Sequence, residues 1–258
     1  MLDVLKDGFL DGRLNEMIEN FRIKYKRYYE IIYQCNELAF KIRKKFNDYD
    51  ATSSEMYVFT NFIQIHNSFQ AYIILMERGM VDDSYIILRT MYEKLIKQQT
   101  IIKDEKEYAN IVQEHYIKRR SMCKYILDNN LFDSIDNKAL AETIKKCDER
   151  ILKDEKGKKI KPKSTEKMAE TNGMEREYFS FKFLSMNVHN DLQNISNMYR
   201  EDDGGIYIDG GFRFEDVKIQ IIRGLDCLLK SMNIIIEYLQ IEQYKIEISK
   251  ISSSVNEL

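Results

Sequence analysis

Apolar residues recur at spacings of three and four along almost the whole chain, the signature of helices that turn one face to a core. The pattern predicts a first long helix over about Leu14–Phe46. A second covers about Ser54–Gly79, entered through the cap-rich Asp50-Ala51-Thr52-Ser53-Ser54 and left at a glycine suited to a C-cap. A third starts at Asp82-Asp83, whose carboxylates suit the positive end of a helix, and reaches about Lys103. Further helices are expected over about Glu105–Asp128, Asn137–Lys153, Glu175–Arg200 and Glu215–Ile251.

The pattern lapses twice. Residues 153–163, KDEKGKKIKPK, hold six lysines, two acids and the single proline, and read as a solvated, mobile loop. Further on, Ile206-Tyr207-Ile208 and Phe212-Arg213-Phe214 flank Asp-Gly-Gly, a hairpin signal. The expected fold is all-α, a multi-helix bundle of about seven helices with one small β-hairpin near residues 205–214. Residues 1–50 form a long N-terminal helix, a packing or dimerisation element. Residues 51–251 form the bundle domain, interrupted by the Lys-rich loop.

Composition supports helices. With 1 Pro and 10 Gly in 258 residues, the chain lacks the turn formers that a β-sandwich or barrel demands. A formal net charge of -2 gives no global pull towards nucleic acid or anionic lipid. Residues 1–12 carry Asp3, Asp7 and Asp11 instead of a cationic start and apolar core, so no secretory signal is expected. Apolar runs are broken by charge, as at Asp226 and Lys230, so no membrane span is expected. Cys35, Cys123, Cys147 and Cys227 form no CxxC pair and read as reduced thiols of a cytoplasmic protein.

Polar residues on apolar faces mark candidate chemistry. Arg89 and Glu93 stand four apart beside the Leu88, Met91, Tyr92 and Leu95 face and can pair. Ser185 and His189, also four apart, share a face with Tyr178, Phe181, Val188 and Leu192, where a Ser can fix the tautomer of an imidazole. His66 falls among Phe59, Phe62, Phe69 and Ile73, and His115 with Tyr108, Val112 and Met122, so all three histidines are expected on apolar faces. The plainer alternative is a set of hydrogen-bonded core residues. No Glu-x-x-His, His-Glu-x-x-His, phosphate-binding Gly loop or Gly-x-Ser-x-Gly elbow occurs, and neither metal nor cofactor is expected.

Between Arg22 and Lys45, eight basic residues and two acidic ones interleave with Tyr25, Tyr28, Tyr29 and Tyr33. Such a helix suits phosphates and base stacking. Equally, it suits a solvated face over a tyrosine core.

The stretch LMERGMVDDSYIILRTMYEKLI, residues 75–96, resembles the signature helix of a widespread bacterial family of unknown function: a leucine-rich helix, a Gly turn, then Arg-x-x-x-Glu. The family's second motif, a Tyr followed by Ser-x-x-x-His, is matched by Tyr178, Ser185 and His189, and TEKMAETNGM resembles the capped helix before it. The similarity covers roughly residues 55–240. It implies an all-helical fold that brings Arg, Glu, Ser and His together, and it supplies no activity.

More loosely, the chain resembles the helical HEPN superfamily, many of whose members are toxin or phage-defence ribonucleases that pair an Arg with a His facing a partner subunit. Here no His follows an Arg at the superfamily's spacing. Lys182 precedes His189 on the same face, and Arg89 must supply the guanidinium.

The resemblance implies a metal-independent endoribonuclease of a defence or toxin system, with RNA and a second copy of the chain as partners. His189 would be the acid or base, Arg89 the phosphate clamp, Glu93 its orienter and Ser185 a supporting residue. The alternative is a helical sensor or interaction module, binding a protein or small ligand, in which the same cluster fixes helix register.

Overall fold

The computed structural model describes residues 8–12, 14–132, 134, 136–153, 155–188, 199–202, 205–208 and 217–258. Among them are ten α-helices: α1 (Leu14–Lys24), α2 (Lys26–Lys45), α3 (Ser53–Glu77), α4 (Val81–Lys103), α5 (Glu107–Asp128), α6 (Asn137–Arg150), α7 (Thr165–Asn172), α8 (Glu175–Val188), α9 (Val217–Tyr238) and α10 (Glu242–Asn256). The count exceeds seven for three reasons. The first long helix breaks at Tyr25, the last one breaks at residues 239–241, and the short α7 stands as a helix of its own.

Local chemistry explains most boundaries. Thr52 accepts from the Glu55 amide while the Glu55 carboxylate accepts from the Thr52 amide, a complete capping box at the start of α3. At the end of α3, the Gly79 amide donates to Met76 O and the Met80 amide to Leu75 O, the Schellman pattern, with Gly79 at φ 73°. The same bonds close α9 through Gln240 at φ 54°, a side chain that pays a steric cost glycine avoids.

Helix α4 is the hub. It packs against α3, α5, α7, α8 and α9, and α9 in turn packs on α2, α3 and α10. One apolar core runs from Phe21 to Val255 through all of these elements except α5's outer partner α6. The α3–α9 crossing is close: a Cβ added at Gly224 would lie 2.7 Å from a ring carbon of Tyr72, which is buried and donates through its hydroxyl to Gln220 O. No helix among the described residues is long and apolar enough to cross a membrane.

Two expected irregular segments differ from the sequence pattern. The hairpin lies earlier than residues 205–214: β1 (Tyr199–Asp202) pairs antiparallel with β2 (Gly205–Ile208), Tyr199 opposite Ile208. Ile206–Ile208 is thus the second arm, and the expected arm 212–214 lies outside the described residues. Two Asp-Gly signals six residues apart, at 203 and 209, made the register ambiguous.

The arms of the Lys-rich loop are tied to each other and to α5. Lys153 and Lys159 form an antiparallel bridge beyond which Gly157 turns at φ 72°. From below, the buried Gln113 donates to Leu152 O and Ile160 O and accepts from the Leu152 amide.

Candidate functional site

Helices α4 and α8 pack side by side, which brings the two sequence motifs together. Arg89 Nε donates to Ser185 Oγ at 2.9 Å, and Nη1 donates to Glu93 Oε2 at 3.3 Å. Its guanidinium carbon lies 4.4 Å from the centre of the Phe181 ring. Ser185 is fixed in turn, since its hydroxyl donates to Phe181 O and keeps its lone pairs for Arg89. A planar, permanently charged group is therefore held by a neutral hydroxyl, a ring face and one carboxylate. Among the described residues its Nη2 has no protein partner. With side chains 25% and 27% exposed, Arg89 and Glu93 are neither sealed nor freely solvated.

The charge pattern continues along α4. Glu93 Oε1 accepts from Lys97 at 2.9 Å, and Lys97 lies 3.5 Å from Glu114 on α5, which also pairs with Lys118. Burial alone would pull Lys97 down, but Glu93 and then Glu114 outweigh it, so its pKa is raised. Burial would push Glu114 up, yet the lysines on either side hold it below the usual carboxylate range. Positive and negative groups thus alternate from Arg89 through Glu93, Lys97 and Glu114 to Lys118.

The remaining candidates separate. Tyr178 stacks on Phe181, ring centres 5.9 Å apart, and extends the aromatic shelf beneath Arg89. Burial and the neighbouring Glu166 raise its phenol pKa. Lys182 is exposed on α8. His189, four residues after Ser185 in the sequence, lies outside the described residues.

His66 belongs to a different cluster. It is fully buried on α3, Arg43 donates to its Nδ1 at 3.3 Å, and its Nε2 therefore carries the proton given to Asn36 Oδ1 at 2.8 Å. Burial, then the charge of Arg43, pulls its pKa down to about 4, so the ring is neutral near pH 7. His115 corrects an expectation, for it is exposed and sits edge-on to Tyr116. Helix α5 is peripheral and turns most of its surface to α6 and solvent, so its apolar spacing overstated the buried face.

Many cations of the basic stretch of α1 and α2 are paired with the protein's own polar groups. Arg22 pairs with Glu77, Arg27 with Glu257, and Lys41 with Glu37 and Glu247, while Arg43 holds His66 and Asn67. Of its four tyrosines, Tyr25, Tyr28 and Tyr29 are buried and Tyr33 is exposed.

Sequence reasoning missed Phe181 as the platform for Arg89, and also Lys97 and Glu114. Lys97 was within reach, because it stands one helical turn after Glu93. Glu114 came from another helix and gave no local signal.

No curated protein and no solved structure matches the chain. Residues 55–206 match the model of a family of unknown function, DUF5677, and they contain Arg89, Glu93, Ser185 and His189. The match covers more than half of the sequence, and the chain belongs to that family.

Proposed function

We propose that the protein is an HEPN-like endoribonuclease of a bacterial defence or toxin system that cleaves RNA without a metal. The observation that carries this reading is the state of Arg89: oriented by Ser185, Glu93 and Phe181, partly exposed, and with Nη2 uncommitted among the described residues. A phosphate diester needs such a group to meet the charge that develops on its non-bridging oxygens. The 2′-oxygen attacks phosphorus, the bond from phosphorus to the 5′-oxygen breaks, and a 2′,3′-cyclic phosphate and a 5′-hydroxyl result. His189 takes the proton of the 2′-hydroxyl and gives a proton to the leaving 5′-oxygen, so the transfer is proton-neutral overall. Glu93 keeps Arg89 in place, and Lys97 offsets the charge of Glu93 so that the carboxylate repels the substrate less.

The test is cleavage of a labelled RNA pool by the purified protein, with analysis of the new termini. Arg89→Ala and His189→Ala should each lower the rate by about 100-fold or more while the melting temperature holds. Products should carry cyclic phosphates. Wild-type protein that leaves RNA intact at stoichiometric amounts, or variants that cut as well as wild type, would overturn the proposal.

One observation favours a second reading. The run from Arg89 through Glu93, Lys97 and Glu114 is a connected polar network across two helices. A non-catalytic sensor or interaction module needs such a network only to fix register. On that reading Arg89→Ala destabilises the fold and no RNA is cut.

A further inference from the structure

A second site lies where α1, α2 and α3 meet, with no residue in common with the Arg89 cluster. A slot of about 170 Å³ opens there between apolar walls supplied by Ile32, Phe69, Ile73 and Ile74. An apolar cavity of about 150 Å³ accommodates a benzene ring, so the slot has the size of one planar ring. Its floor is an ion pair. Glu77 is 4% exposed, and Arg22 binds it through both Nε (3.0 Å) and Nη2 (2.9 Å) while Tyr29 donates to Oε2 at 3.0 Å. Arg78 lies 3.5 Å from the same carboxylate, so two guanidinium groups face one acid.

The bidentate pair fixes Arg22 yet leaves its Nη1 without a protein partner among the described residues, on a side chain that is 43% exposed. The mouth carries both kinds of hydrogen-bonding group. Among the described residues, Asn36 gives its oxygen to His66 and retains an amide NH2, and Gln70 donates its NH2 to His66 O and retains an acceptor oxygen. Tyr33, 57% exposed, offers a ring face and a hydroxyl.

A ring-sized apolar slot, an exposed aromatic face, an amide donor, an amide acceptor and a pre-set guanidinium together match a planar base that bears an anionic group. We infer that this slot binds a nucleobase attached to phosphate, either a free nucleoside monophosphate or one base of an RNA strand. The inference goes beyond the cleavage reading and stands without it.

Titration calorimetry with the four nucleoside monophosphates, a single-stranded RNA tetramer and benzoate tests it. Saturable one-to-one binding of a monophosphate is expected if the ligand is free. Binding of the tetramer alone, with the same dependence on variants, assigns the slot to a strand. Ile74→Trp fills the slot from a wall residue that is 49% exposed, so the fold should hold, and it should weaken binding about tenfold or more. Gln70→Ala should weaken it severalfold and change the preference among bases. Arg89→Ala should leave it unchanged even if RNA cleavage is lost. Absence of binding by every nucleotide probe, unchanged binding in Ile74→Trp, or benzoate binding as tightly as the monophosphates would overturn the inference.

Discussion

Arg22 and Arg89 have the same kinds of neighbour and do different work. Each has a glutamate, a hydroxyl nearby and an aromatic ring, Tyr29 at 5.9 Å or Phe181 at 4.4 Å from the guanidinium carbon. Arg22 makes two short parallel bonds to a carboxylate that lies 55 residues away in sequence and is almost wholly buried. Arg89 makes one longer bond to a glutamate on its own helix, and shares that glutamate with Lys97. What separates the two is the desolvation of the acid. A buried carboxylate needs its cation and makes the arginine a fastener between helices that keeps only Nη1 for a ligand, whereas a partly hydrated one leaves more of the arginine free to serve something else.

Deleting each arginine breaks the comparison most directly. Arg22→Ala strands Glu77 in the interior with Tyr29 and Arg78 as its remaining partners, and should cost about 3 kcal/mol in urea unfolding. Adding Glu77→Gln to that variant should recover part of the loss, because the stranded charge is gone.

A titration probes a third arginine without deleting it. His66, beside Arg43, has a folded pKa of about 4 against an ordinary value of 6.5. Between those values the unfolded chain binds more protons than the folded one. Stability therefore falls as pH drops through this window and is restored above it. The loss from pH 7 to pH 5 should be about 2 kcal/mol in denaturant melts, and His66→Gln should flatten that slope.

The smallest effect is expected at Arg89. Its replacement by Ala should change unfolding free energy by less than about 1 kcal/mol, since both Ser185 and Glu93 remain within reach of water or Lys97. A loss as large as that at Arg22 would favour the structural-network reading.

Most helices were legible because their ends carry their own chemistry. The cap-rich run before α3, realised as Thr52 with Glu55, and Gly79 at its end both fall where the pattern changes, whereas the caps Asp136 of α6 and Ser164 of α7 went unread. The breaks at Tyr25 and Gln240 were hidden, as neither Pro nor Gly marks them and tertiary packing selects the bend. The partnership of Arg89 with Ser185 followed from two motifs that each lie on one helix. That of Arg22 with Glu77 did not, for nothing local links a cation on a surface-like helix to an acid at the end of another. Gln113 was equally silent: a lone amide on α5 gave no sign that it holds both arms of the lysine hairpin.

The position of α4 sets how the Arg89 cluster moves. Five helices cover α4, so the backbone amides around Leu88–Ile96 are expected to exchange with solvent hydrogen only when most of the bundle opens, which amide exchange read by mass spectrometry checks. Arg89, Glu93 and Lys97 thus ride on a backbone packed against five other helices. A backbone held this way presents the cluster to a ligand from a fixed frame, which lowers the ordering cost of binding.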